Sequence, residues 1–126
     1  MNNRDYDILE HIIRFCDEID EAINHFGNTY DELESSSVYK NAVSMCILQI
    51  GELTVHLSDE FRAKYNEMPW QDIKAMRNIA AHHYASFDTA KLWETITDDL
   101  PELREYCNKV MDMERKNNSE QYAKDK

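Results

Sequence analysis

The chain has 126 residues, enough for one domain with a sizeable core and too few for two independent catalytic domains. Two Gly and two Pro leave little room for tight hairpins, while 42% hydrophobic residues exclude a wholly disordered chain, so the composition points to long helices. Fourteen Lys and Arg against twenty-five Asp and Glu give a formal charge of −11, which argues against a general binder of phosphate backbones such as DNA.

The first helix is predicted over residues 5–26, where Ile8, Leu9, Ile12, Ile13, Phe15, Cys16, Ile19, Ala22, Ile23 and Phe26 recur at three- and four-residue steps. Gly27 suits the position just past its end. Thr29 and Glu32 have capping-box spacing, predicting a short turn over 30–34 before the Ser35-Ser36-Ser37 break. From Val38 to about Leu57 the apolar residues are denser than one stripe, so this helix is expected to be covered on more than one side, in a core or an oligomer interface. Gly51 in its middle costs about 1 kcal/mol relative to Ala, and a close helix crossing would account for it. Residues 58–64 read as a separate helical segment.

Pro69 suits the first position of a further helix, with Trp70, Ile73, Met76, Ile79 and Ala80 on its packed face. Asp88 is placed to cap a helix carrying Leu92, Trp93, Ile96 and Leu100. Pro101 should kink or restart that helix before Leu103, Tyr106, Cys107, Val110 and Met111 continue the pattern. Residues 1–115 thus read as a single all-α domain, an antiparallel bundle of four or five helices, and 116–126 as a polar, flexible tail. Cys16, Cys46 and Cys107 form an odd set with no C-x-x-C pair, as expected of a reduced, cytoplasmic protein. The first residues lack the apolar run of a signal peptide, and no stretch approaches the roughly 20 apolar residues of a membrane span.

Chemistry concentrates in Arg77-Asn78-Ile79-Ala80-Ala81-His82-His83-Tyr84. Charge is distributed to suit it: residues 1–35 hold two basic and ten acidic side chains, whereas Lys74 and Arg77 outnumber Asp72 near this segment. Asn78 and His82, four apart, share a helix face. Arg77 and His82, five apart, lie about 140° apart around an ideal helix, so they converge only if the long Arg reaches round, the helix end unwinds, or a two-fold partner completes the set. Arg brings a permanent cation with a fork matched to phosphate oxygens, and His a proton that moves near neutral pH. On spacing alone a structural role at a helix end competes strongly with a catalytic one.

Arg77 through Tyr84 resembles the R-x4-H-x-Y motif of the HepT-like toxins, a branch of the HEPN superfamily of all-helical ribonucleases. Ile50-Gly51-Glu52, the stretch Leu57 to Arg62, Pro69 to Ile73 and Trp93 to Leu103 resemble the same family in the same order. The resemblance implies a homodimer whose motif helices meet across a cleft, and cleavage of RNA without metal or other cofactor. Arg77 and His82 would be the catalytic pair, Asn78 would support His82, and Glu52 would stand near the motif or on a solvated dimer rim. Tyr84 would be the acceptor of AMP from a minimal nucleotidyltransferase antitoxin. Two features depart from many relatives: His83 stands where Gly is common, and Ala80-Ala81 replace bulkier residues.

Two rival readings remain at this level. Metal binding through His82 and His83 is disfavoured, because adjacent residues on a helix point about 100° apart and no H-E-x-x-H or Cys-rich spacing accompanies them. A catalytically silent module that dimerises and docks a nucleotidyltransferase fits the same motif. His11, His25 and His56 are scattered and read as polar-face or packed residues. Any RNA binding is expected to be confined to the locally basic segment and to weaken steeply with salt.

Overall fold

The computed structural model describes residues 1–78 and 88–125, and all regular structure among them is helical. Helix α1 spans Asn3–Phe26, α2 Tyr30–Glu34, α3 Ser37–Val55, α4 Asp59–Lys64, α5 Trp70–Ala75 and α6 Thr89–Glu94; a π-helical turn over Thr95–Asp99 then leads into α7, Leu100–Asp125. Three of these helices are long. The other four α-helices and the π turn are one or two turns each, so the described residues hold more helices than the four or five expected.

Each boundary has a local cause. Asn2 Oδ1 accepts the Asp5 N–H at 2.7 Å to open α1, and Gly27, at φ 125°, closes it by donating its N–H to the Ile23 carbonyl. A side chain at Gly27 would meet that strained φ and also collide with the Glu32 carboxylate, which lies 0.8 Å from where a β-carbon would stand. Thr29, Ser36, Ser58 and Asp88 cap α2, α3, α4 and α6 through their side-chain oxygens, Thr29 and Asp88 as the spacing predicts. Pro69 stands one position earlier than expected, at the cap of α5, with no side-chain bond to it.

Pro101 restarts the last helix as anticipated, and the π turn shows how. In a regular α-helix its ring would press on the carbonyl four residues back, and one hydrogen bond would be missing. Here the Leu100 N–H reaches five residues back to Thr95, widening the turn just ahead of the ring. Beyond that point α7 runs on to Asp125, so the polar stretch from residue 116 continues the helix, exposed as far as Glu120. No Gly or Pro follows Pro101 to stop it.

The core forms where α1 packs against α3 and α7, α3 against α5, and α2 against α3 and α6. Leu9, Ile12 and Ile19 of α1 meet Val43, Ile47 and Ile50 of α3 and Leu103 and Cys107 of α7, all buried. Burying each large aliphatic side chain contributes about 1.5–3 kcal/mol, which is why the stripe read in α1 decides its orientation. The dense pattern of α3 has the expected cause in part, since both α1 and α5 pack against it. Val38 and Met45, however, are 63% and 56% exposed.

Two buried carboxylates tie the short segments to the long ones. Asp5 of α1 accepts the Ser58 N–H at 2.9 Å and the Ser58 hydroxyl at 2.7 Å, and the same hydroxyl oxygen caps α4 by accepting the Phe61 N–H. Glu114 of α7 accepts hydrogen bonds from the Tyr65 hydroxyl and, at 3.0 Å, from Lys64 Nζ. Burial pushes the Glu114 carboxyl up, but the hydrogen bonds from Tyr65 and Lys64 outweigh it and hold it below its ordinary value of 4.5. A carboxylate with a lowered folded pKa stabilises the fold above its unfolded pKa and loses that contribution as pH falls through the lower one. Denaturant titrations of wild type and Glu114→Gln should therefore show a constant stability gap from pH 7 down to about 5.5, closing below about 4.5. A gap that does not begin to narrow as the pH falls below about 4.5 would contradict this account.

The three cysteines are free and buried. Burial first, with the Glu18 carboxylate beside Cys46, pushes the Cys16 and Cys46 thiols up to about 12, and burial raises Cys107 as well. None is a thiolate at neutral pH, so packing explains them better than nucleophilic chemistry. His11, His25 and His56 are all exposed, which leaves the polar-face alternative of the two read from the sequence.

Candidate functional site

The site begins at the α3–α5 crossing. Met76 ends α5 by donating its N–H to the Ile73 and Lys74 carbonyls, and helical geometry resumes at Arg77 and Asn78. α3 lies close enough that a β-carbon at Gly51 would stand 2.4 Å from Arg77 Cγ and 3.3 Å from both the Arg77 nitrogen and the Lys74 carbonyl oxygen. Real side chains do not sit at the first of these distances. The helix crossing inferred from Gly51 is present, and what crosses there is the backbone and side chain of the motif arginine.

One residue further along α3, Glu52 Oε1 accepts a hydrogen bond from Arg77 Nη1 at 2.8 Å. The two side chains are 50% and 34% exposed. An ion pair so open to water is worth about 0–1 kcal/mol, too little to be explained as a stabilising device. Its effect is geometric. Glu52 engages one nitrogen of a guanidinium that carries five N–H donors, and the same fork is the usual partner of phosphate oxygens.

Of the residues singled out in the sequence, the structure brings Glu52 and Arg77 together and leaves Asn78 exposed beside them. His82, His83 and Tyr84, with Ile79, Ala80 and the rest of the segment to Phe87, lie outside the described residues. The pairing of Glu52 with Arg77 was not legible in the sequence, where they stand 25 residues apart. The out-of-place glycine next door signals a close crossing but not which residue crosses there.

Family comparison follows the same residues. The family described as Ribonuclease HepT-like matches residues 7–110 of the chain, a span that contains most of α1, Gly51, Glu52, Arg77 and the whole of R-x4-H-x-Y. The chain belongs to the HepT-like family. It is 34% identical over 114 residues to "Gamma-glutamylcyclotransferase and putative RNase MJ0434" of Methanocaldococcus jannaschii, a match covering 90% of this chain and 50% of that protein, so the chain spans about half the length of this relative. It is 30% identical over 107 residues to "Putative RNase TTE0752" of Caldanaerobacter subterraneus, covering 85% of this chain and 94% of that one. To "Probable ribonuclease HepT" of Thermococcus cleftensis it is 26% identical over 98 residues, covering 78% and 87%. No solved structure matches the chain.

The net charge of this HepT-like chain is −11, and the cavity beside the crossing reflects it. A cavity of about 470 Å³ has an apolar floor that includes Ile73 and Met76, and its rim carries Asp72, Glu94, Asp99 and Glu102 against Lys91. Burial and then the carboxylates around it raise the Asp99 pKa, with Lys91 acting in the opposite direction. Such a rim repels a polyanion. Among the described residues no group of three His, Cys, Asp or Glu is arranged to hold a metal ion. Among them, too, no helix is long and apolar enough to cross a membrane.

Proposed function

We propose that the chain is a metal-independent endoribonuclease, acting as a homodimer and as the toxin of a type II or type VII-like toxin–antitoxin pair in the cytoplasm. The observation that carries this reading is Arg77, its backbone and Cγ lying against Gly51 and its guanidinium held by Glu52 and partly open to solvent, at the head of R-x4-H-x-Y in a HepT-like chain. The names of the relatives support RNA as the substrate.

In the proposed reaction a ribose 2′-hydroxyl attacks the adjacent phosphorus. The new P–O2′ bond forms as the P–O5′ bond breaks; His82 exchanges the proton lost from the 2′-oxygen and the one gained by the 5′-oxygen, and the products are a cyclic phosphate and a 5′-hydroxyl. Arg77 stabilises the negative charge that builds on the phosphoryl oxygens, and a preorganised donor is most effective where charge develops. Asn78 supports the imidazole. In the off state a minimal nucleotidyltransferase transfers AMP from ATP to the Tyr84 hydroxyl with release of pyrophosphate, and the added phosphate blocks the cleft and competes for Arg77.

Purified protein incubated with RNA in excess EDTA should cleave it, and His82→Ala should lose that cleavage by about 10²–10⁴-fold. Cleavage absent in both assigns the chain instead to a docking module without catalysis. For the antitoxin, wild type with the cognate nucleotidyltransferase and ATP should gain the mass of AMP, and Tyr84→Phe should not. An equal gain by Tyr84→Phe removes Tyr84 from this scheme.

A further inference from the structure

We infer that α3 is the arginine-positioning element of this site, with Gly51 as the seat and Glu52 as the tether, so that Glu52 orients Arg77 without itself touching RNA. The inference rests on the ribonuclease reading and specifies how the cation of that site is aimed.

The seat is built from backbone. A β-carbon at Gly51 would crowd the Arg77 nitrogen and the Lys74 carbonyl as well as Arg77 Cγ, so the contact fixes where the arginine leaves its own backbone as well as its first methylenes. That leaves the outer torsions of a long side chain, which sample many rotamers in water. The 2.8 Å bond from Nη1 to Glu52 restrains them from the same helix, one residue on. Seat and tether are consecutive, so both move with α3, which is anchored to α1 through Val43, Ile47 and Ile50 in the core. A guanidinium aimed in this way loses its rotamer freedom before substrate arrives, and the rate benefits because no reorganisation is needed while charge develops.

A carboxylate that merely competed with phosphate for Arg77 would predict the opposite: its removal would free the cation and raise activity. The two roles separate experimentally. Under saturating RNA, Glu52→Ala should lower kcat about tenfold with KM changed less than about twofold, since misplacement affects a group acting in the transition state. Glu52→Gln, whose amide oxygen can still accept from Nη1, should recover kcat to within about threefold of wild type. A Glu52→Ala protein as fast as wild type or faster, or a Gln variant no better than the Ala variant, overturns the inference.

A readout independent of turnover is the ¹⁵N relaxation of the Arg77 side chain, assigned by its disappearance in Arg77→Lys. Its Nε–H should be ordered in wild type and become mobile in Glu52→Ala. Equal mobility in both overturns the tether whether or not RNA is cleaved. Ordered Arg77 in a wild-type protein that leaves RNA intact would sink the ribonuclease reading and keep the tether.

Discussion

Replacing Arg77 with Ala is expected to lower RNA cleavage by about 10²–10³-fold, the range seen when one preorganised donor to developing charge is removed. Lys74, the other cation near this segment, is a point charge without the fork that Arg77 presents. Glu52, its partner, is an anion, and the cavity beside Ile73 and Met76 is rimmed by carboxylates. The fold should tolerate the change, because a half-exposed ion pair contributes about 0–1 kcal/mol. Loss of rate with a melting temperature close to wild type is therefore the expected combination. Arg77→Lys should fall between the two: the charge remains, but an ammonium is a point donor without a planar fork. Single-turnover cleavage with the folded fraction measured in parallel checks both variants, and a wild-type rate in Arg77→Ala would remove the guanidinium from the reaction.

Asp5→Ala is expected to destabilise the fold by about 3 kcal/mol, since hydrogen bonds to a charged group contribute about 1.5–3 kcal/mol and their loss leaves buried partners unsatisfied. Asp5 is 2% exposed and accepts from both the backbone N–H and the hydroxyl of Ser58. Without it the Ser58 hydroxyl loses the acceptor that orients it while it caps α4, so the cap is weakened along with the tie to α1. For a domain of this size the loss corresponds to a drop in melting temperature of about 10 °C. Asp7→Ala, an exposed neighbour on the same helix, serves as the control and should change stability by no more than about 0.5 kcal/mol. Equal melting of the two variants would mean that the Asp5–Ser58 link carries no weight.

Much of the local structure was legible before any coordinates. The apolar steps of α1 predicted its buried face, Gly27 its end, and Thr29 and Asp88 two of the caps, because these depend on residues within a few positions of one another. Pro101 announced a restart for the same reason, although the widened turn that achieves it could not be read from one proline. Polarity over 116–126 reports the lack of a core face, and helix α7 nevertheless extends through that stretch to Asp125, where nothing interrupts its backbone bonds. The apolar density of α3 predicts cover on more than one side, yet Val38 and Met45 are exposed, since apolar density along a helix does not say which neighbours reach it.

The sequence by itself determined the helical class, most helix boundaries and the family, and it named Arg77 and Glu52 separately as candidates. Only the tertiary structure joined those two. Helix periodicity and capping are set by residues a few positions apart, so they are written locally. Where Asp5 meets Ser58, where Glu114 meets Tyr65, and where Gly51 lets Arg77 lie against α3 depends on how distant helices cross, and that is decided when the core packs.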